Sequence, residues 1–115
     1  AMQSALNDAG LKTGDIGCIL ANANSTNDAD KIETFAIKDV FGKRAYDTPI
    51  SAIKSMLGET FSASAGLAIA TALGCMTKDF IPPTINYEEC DPELDLDYVP
   101  NKSRKLKVNT ILINF

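Results

Sequence analysis

Histidine is absent from all 115 residues. This absence removes the commonest general base near neutral pH and the commonest side-chain metal ligand. It also excludes a serine–histidine or cysteine–histidine nucleophile pair formed by this chain alone. We therefore expect neither a metal site nor a bound cofactor, and the catalytic chemistry open to the chain is narrow.

Cysteine is scarce, and its three residues lie at no metal-like spacing: Cys18, Cys75 and Cys90. An odd number of thiols without a pairing pattern indicates a reducing compartment rather than a disulfide framework. We expect all three to be small buried or peripheral residues. No secretory signal or lipidation motif is visible, which favours a cytoplasmic location. The net charge of −4 argues against broad nucleic-acid binding.

The longest apolar segment runs from Thr60 to Met76, and we expect the domain to be organised around it. A helix that is apolar on every side is normally buried, so this segment predicts a buried central helix. It is too short and too rich in small residues for a membrane span. Residues 54–59 would then lie at the helix N-terminus, where free backbone N–H groups favour polar chemistry.

The other segments alternate between strand-like and helix-like patterns. Short β-branched runs predict buried strands at residues 16–21, 48–53 and 108–115. Helices are expected at residues 1–9, ending at Gly10, and 29–40, capped by Asp28 or Asp30 and ending at Gly42. On the second helix the pattern predicts an inner stripe of Ile32, Phe35, Ala36 and Val40, with Lys31, Lys38 and Asp39 facing outward.

Between the central helix and the last strand, residues 81–84 must be extended because they contain two consecutive prolines. Residues 86–105 are polar and are expected to be irregular. With 45% hydrophobic residues, no repeat and no linker, residues 1–115 are expected to form one α/β layered domain.

Five motifs of the chain are typical of one family: Asp30-Lys31-Ile32-Glu33-Thr34, Phe41-Gly42, Lys54-Ser55-Met56-x-Gly58, Ile81-Pro82-Pro83-Thr84-Ile85-Asn86-Tyr87 and Asp95-Leu96-Asp97-Tyr98-Val99-Pro100-Asn101. Through these motifs the sequence resembles the β-ketoacyl-acyl-carrier-protein synthases, which are condensing enzymes of fatty-acid and polyketide assembly. The resemblance covers essentially the whole chain and implies the C-terminal half of a thiolase-like fold, with a layered mixed sheet around a buried central helix. The N-terminal half and a glycine-rich stretch that normally follows residue 115 are not present.

The resemblance implies an active site made of a cysteine from the missing half and two histidines from this half. Asn22 occupies the position of the first histidine and Glu59 that of the second, while the family's lysine is kept as Lys54. In the family the two histidines donate hydrogen bonds to the thioester oxygen as an enolate forms. Asn22 keeps an N–H₂ donor, whereas an ionised Glu59 offers only acceptors. The substitutions therefore predict impaired decarboxylative condensation.

Two interpretations of Glu59 follow from its neighbours in the sequence. It can form a structural ion pair with Lys54 close to a helix N-terminus, which is the interpretation we favour. Alternatively, it can act as a catalytic acid–base.

In lacking both histidines, the sequence is similar to a chain-length factor, the ketosynthase-like subunit that pairs with an active synthase. Our leading hypothesis is such a subunit, which completes a homo- or heterodimer and shapes an acyl tunnel. The implied partners are an acyl carrier protein and a ketosynthase-family subunit, with no nucleic acid and no membrane. The competing hypothesis is an acyltransferase or decarboxylase that uses a cysteine from the missing half. A third hypothesis is an isolated domain without activity of its own.

Two charged segments allow further interpretations. The acidic run from Glu88 to Asp97 lacks calcium-loop spacing and contains Pro92, so a solvated loop is favoured over a cation site. The basic cluster from Lys102 to Lys107 could contact an acidic carrier protein, although an ordinary basic turn is the simpler interpretation.

Overall fold

The computed structural model describes residues 1–115 and contains a three-stranded parallel sheet with helices on both faces. The helices are α1 (Met2–Ala9), α2 (Asn27–Phe41), α3 (Lys54–Leu57) and α4 (Ser64–Lys78). The strands are β1 (Cys18–Leu20), β2 (Ile50–Ser51), β3 (Phe80–Ile81), β4 (Arg104–Lys105) and β5 (Ile111–Ile113). Three short 3₁₀ turns occupy Thr13–Asp15, Gly42–Tyr46 and Phe61–Ala63.

β1 is the central strand of the parallel sheet, whose order is β2-β1-β5. Ile19 lies opposite Ile50 on one side and Leu112 on the other. β3 and β4 form a separate antiparallel pair with Phe80 opposite Lys105. The three expected buried strands are therefore present, although each is shorter than its apolar run. β4, within the segment expected to be irregular, was missed.

Side chains of β1 alternate between two apolar layers because successive residues of a strand point to opposite faces. Ile19 packs with α1 and α2, in a cluster that includes Leu6, Ile37 and Phe41. Cys18 and Leu20 pack on the other face with α4, through Ala68, Ala72 and Cys75. Burying a large aliphatic side chain such as Ile19 stabilises the fold by about 1.5–3 kcal/mol. The sheet is thus held between an α1–α2 layer and an α4 layer.

The prediction that the central helix is buried on every side is wrong for this domain. α4 begins at Ser64, after a 3₁₀ turn, and buries only Ala68, Ala72 and Cys75. The opposite face is apolar and exposed, with Leu67, Ile69 and Leu73 between 37% and 55% exposed. Lys54 is also separated from α4, because it begins the distinct helix α3.

The predicted inner stripe of α2 is wrong for Ile32 and Phe35 and only partly right for Ala36 and Val40. The residues that α2 buries are Thr34, Ile37 and Phe41, while Ile32 and Phe35 are 68% and 51% exposed. Ala36 and Val40 pack only at the edge of the core. α2 begins at Asn27, and its N-cap is Thr26 without a side-chain bond, so the expected cap by Asp28 or Asp30 is wrong.

Two helix ends are confirmed. Gly10 follows α1 in the left-handed conformation, and Gly42 follows α2. None of the helices is both long and apolar enough to cross a membrane.

Candidate functional site

Lys54 forms hydrogen bonds with Asn22 and Glu59, the two residues that the resemblance places at histidine positions of the family. Its Nζ donates to Asn22 Oδ1 at 2.6 Å and to Glu59 Oε2 at 2.7 Å. Asn22 closely follows β1 and Lys54 closely follows β2, and the carboxyl ends of neighbouring parallel strands lie at the same edge of a sheet. The structure therefore brings all three sequence-predicted site residues into one hydrogen-bonded group.

Glu59 returns toward Lys54 because Gly58 turns the chain at the end of α3. Gly58 has φ +75°, in the region that favours glycine over residues with a Cβ. Glu59 Oε1 accepts hydrogen bonds from the Phe61 N–H at 3.0 Å and from Ser64 Oγ at 3.2 Å. The carboxylate is thus held by the backbone that leads into α4 as well as by Lys54.

The surroundings of Glu59 favour its ionised form. The hydrogen bond from Lys54, followed by that from the Phe61 N–H, holds the pKa of the Glu59 carboxyl below its ordinary value. An ionised carboxylate accepts hydrogen bonds and donates none. This geometry fits the ion-pair interpretation of Glu59, while its role in catalysis stays a prediction.

Asn22 has a defined amide orientation. An ammonium group has only donors, so the atom facing Lys54 must be the Asn22 carbonyl oxygen Oδ1. The Nδ2 group forms no hydrogen bond within the domain, whereas the Asn22 backbone N–H is occupied by Glu33. Asn22 therefore retains two N–H donors for an acceptor outside the domain.

Glu33 is a site residue that the sequence reasoning missed. Its two carboxylate oxygens accept the backbone N–H groups of Asn22 and Ala23, both at 2.8 Å. Asn114 Nδ2 donates to the same carboxylate at 2.5 Å and so connects the chain after β5 to the Asn22 loop. The only sequence signal was the position of Glu33 in the motif from Asp30 to Thr34. Glu33 acts as the support that fixes the backbone carrying Asn22.

A cavity of about 490 Å³ opens beside Lys54 and Glu59. Asp30, Glu33 and Tyr98 contribute to its lining. Burial, and then the neighbouring Glu33 carboxylate, raise the pKa of Asp30. Asp30 Oδ1 is a buried oxygen without a hydrogen-bond partner. Besides Glu59, the cavity lining therefore contains the carboxyl groups of Asp30 and Glu33.

The cysteines lie away from this group and take the expected places. Cys18 and Cys75 are buried, and Cys90 is exposed. Burial raises the pKa of the Cys18 thiol to about 12 and also raises that of Cys75. Buried thiols of this kind are unreactive, because the thiolate is the nucleophile. The domain also contains no cluster of three metal-ligating side chains.

The acidic run lies at the surface, as expected, and forms ion pairs with α2. In the acidic run, Glu93 pairs with Lys31 and Asp95 pairs with Lys38. These pairs fasten the run to α2, whose Lys31 and Lys38 are only partly exposed. In the basic cluster, Arg104 pairs with Asp97, while Lys102, Lys105 and Lys107 stay exposed.

Two solved structures share this fold over nearly the whole chain. One is described as a type II polyketide synthase acyl-carrier protein in complex with its ketosynthase bound to the hexaketide. It matches with a TM-score of 0.93 and 35% identity, over 96% of this chain and 27% of that chain. The other, the ishigamide ketosynthase/chain length factor, matches with a TM-score of 0.90 and 38% identity, over 95% and 27%. The fold is that of a thiolase-like condensing-enzyme domain.

Residues 1–88 match the family model of the β-ketoacyl synthase C-terminal domain. The chain therefore belongs to the β-ketoacyl synthase family. It is 45% identical over 112 residues to the tetracenomycin polyketide synthase ketoacyl synthase alpha subunit of Streptomyces glaucescens, covering 97% of this chain and 26% of the relative. It is 43% identical over 114 residues to 3-oxoacyl-acyl-carrier-protein synthase 2 of Synechocystis sp., covering 99% and 27%. The chain thus spans about a quarter of the length of these relatives.

Proposed function

We propose that residues 1–115 are the C-terminal domain of a longer ketosynthase-family subunit that is impaired in decarboxylative condensation. The subunit pairs with an active ketosynthase and shapes the tunnel that holds the growing acyl chain, as a chain-length factor does. The observation that carries this proposal is the hydrogen bonding of Lys54. Asn22 and Glu59, which stand where the family has histidines, both accept hydrogen bonds from Lys54.

The chemistry of condensation explains why this group is unfavourable. Decarboxylation breaks the bond between the malonyl carboxylate and the adjacent carbon, CO₂ leaves, and negative charge develops on the thioester oxygen. Preorganised donors stabilise such a charge, and one donor typically contributes about 2.7–4 kcal/mol. An ionised Glu59 supplies no donor and places a like charge near the developing enolate, so it opposes the reaction.

The proposed partners are an acyl carrier protein and an active ketosynthase subunit. Support comes from the two solved relatives, whose descriptions include a carrier protein with its ketosynthase and a ketosynthase/chain length factor. The similarity to a polyketide synthase subunit and to a 3-oxoacyl-acyl-carrier-protein synthase supports a place in polyketide or fatty-acid synthesis.

The experiment measures condensation with the complete polypeptide that carries this domain. It is incubated with acyl- and malonyl-loaded carrier protein, first alone and then with a purified active ketosynthase of the same class. We expect a β-ketoacyl product only in the presence of the partner, with the polypeptide altering product length. A condensation product from the polypeptide alone would contradict the proposal.

A second candidate function is favoured by the free Nδ2 group of Asn22. With a cysteine from the rest of the polypeptide, Asn22 could act as a single oxyanion donor in acyl transfer or malonyl decarboxylation. Asn22→Asp removes the donor without changing the shape of the side chain. For this candidate it should lower the decarboxylation rate by about 10²-fold or more.

Glu59→Gln separates the two interpretations of Glu59. The variant should abolish turnover if Glu59 is a catalytic acid–base. If Glu59 is the structural partner of Lys54, the variant should lower thermal stability without reducing turnover, because it removes a charge that opposes the reaction. Measuring both quantities on the same preparation distinguishes these outcomes.

A further inference from the structure

The outward face of α2 carries an apolar stripe with a carboxylate at each end. Asp28, Ile32, Phe35 and Asp39 follow one another at spacings of four, three and four residues, which places them along one line of a helix. All four are exposed, and they lie opposite Ile37, which is fully buried. We call these four residues the α2 stripe.

An aromatic edge widens the stripe on one side. Tyr46 is 52% exposed, and Lys38 Nζ lies 5.7 Å from the ring centroids of both Phe35 and Tyr46. Lys38 therefore sits between the two rings while its charge is paired with Asp95. Contiguous exposed apolar surface next to aromatic rings is characteristic of interaction sites.

The position of α2 in the layers separates this surface from the exposed face of α4. α2 packs on the sheet face that Ile19 occupies, whereas α4 packs on the face of Cys18 and Leu20. Polypeptide that covers the apolar face of α4 therefore lies on the other side of the sheet. A covering of α4 alone therefore leaves the α2 stripe exposed.

The charges of the stripe identify its occupant. Neither Asp28 nor Asp39 takes part in an ion pair within the domain. The cations that do form ion pairs, Lys31, Lys38, Lys54 and Arg104, are joined to other carboxylates. A second copy of α2 packed antiparallel would place Asp28 against Asp39, and a parallel copy would place each against itself. Either arrangement brings like charges together, so self-association through the stripe is unfavourable.

We propose that the α2 stripe is a docking surface for a helix of another protein, with two apolar residues one turn apart between lysine or arginine residues. The apolar pair packs on Ile32 and Phe35, and the basic residues pair with Asp28 and Asp39. This is the helix-on-surface mode of recognition, with charges that set orientation and partner choice. The proposal is independent of whether the subunit catalyses condensation.

The test uses the complete polypeptide and a fluorescent synthetic helix on an alanine background. The peptide carries lysine, leucine, leucine and lysine at the same spacing as the stripe, and a matched peptide carries glutamate in place of lysine. Fluorescence anisotropy should show saturable binding of the lysine peptide that weakens with added salt, and no binding of the glutamate peptide. Ile32→Ser or Phe35→Ser should weaken binding by about tenfold or more.

Charge and apolar controls lie outside the stripe. Asp28→Asn with Asp39→Asn should weaken the lysine peptide several-fold, whereas Asp8→Asn on α1 and Leu106→Ser near β4 should leave its affinity unchanged. Failure of the lysine peptide to bind overturns the proposal, as does binding that is indifferent to the stripe variants. The proposal would also be overturned if the wild-type polypeptide self-associated and Phe35→Ser abolished that self-association. The stripe would then be occupied by a second copy.

Discussion

At the scale of single residues, Glu33 and Glu59 support the candidate site through different partners. Glu33 accepts two consecutive backbone N–H groups and thereby sets the position of Asn22. Glu59 accepts from Lys54 and from the backbone before α4. The motifs alone predict Asn22, Lys54 and Glu59 as site residues, and the structure places the three in one hydrogen-bonded group. Glu33 could not be assigned its role, because one of its partners, Asn114, is 81 positions away in the chain.

Glu33→Gln should destabilise the complete polypeptide by about 1–3 kcal/mol, because a glutamine NH₂ would face a backbone N–H donor and leave it unpaired. Denaturant unfolding measures the loss, and hydrogen exchange at the Asn22 and Ala23 amides should accelerate. Glu88→Gln, on the exposed acidic run, is the matched control and should change neither quantity. Unchanged exchange at Asn22 in Glu33→Gln would refute the supporting role of Glu33.

Glu59 gives the stability of the domain a dependence on pH. Its folded pKa lies below the unfolded value of about 4.3, so the bound Lys54 stabilises the fold at higher pH. That contribution is complete above the unfolded pKa and is lost as the pH falls through the folded pKa. The difference in unfolding free energy between the wild type and Glu59→Gln should therefore shrink below about pH 4. A difference that grows on acidification would contradict this assignment.

At the scale of elements, α2 shows where a hydrophobic pattern misleads. Apolar residues occur on several sides of this helix, so its sequence allows more than one inner stripe. The structure selects the face of Thr34, Ile37 and Phe41. Thr34 is buried because its hydroxyl bonds to the Asp30 carbonyl at 2.8 Å and to Tyr98 Oη at 2.5 Å. The polar residue and its distant tyrosine partner could not be found by counting apolar positions.

Two isoleucines of α2 test this orientation. Ile37→Ala should cost about 2–5 kcal/mol of unfolding free energy, because Ile37 is fully buried against the sheet. Ile32→Ala removes the same atoms from an exposed position and should stay within about 0.5 kcal/mol. Denaturant titration of the two variants under identical conditions makes the comparison. A larger loss of stability for Ile32→Ala than for Ile37→Ala would support the helix orientation that the sequence pattern predicts.

At the scale of the whole molecule, α4 exposes an apolar face that no other part of residues 1–115 covers. The sequence predicted a helix apolar on all sides, and α4 is such a helix, but this domain covers only one of its faces. The layered α/β fold itself could be predicted from the alternation of segments and from the family motifs. The exposure of Leu73 could not, because an apolar pattern on all sides does not show which faces of a helix the domain itself covers.

Leu73→Ala tests whether the apolar face of α4 is covered in the complete polypeptide. Leu73 is 55% exposed in the domain, so contacts within residues 1–115 alone predict that Leu73→Ala costs little stability. If the rest of the polypeptide packs on α4, the variant should cost about 2–5 kcal/mol there. Thermal or denaturant unfolding of the complete polypeptide measures this cost. A loss below about 0.5 kcal/mol would show that Leu73 stays at a surface.

The central claim, that this subunit is impaired in condensation and works beside an active partner, is tested most directly by intact-mass spectrometry. The complete polypeptide is offered acyl- and malonyl-loaded carrier protein without a partner, and its mass is recorded before and after. We expect no covalent acyl adduct, with an adduct forming only on an added active ketosynthase. An acyl adduct on the polypeptide itself would contradict the claim, because it would establish a working nucleophile beside Asn22, Lys54 and Glu59.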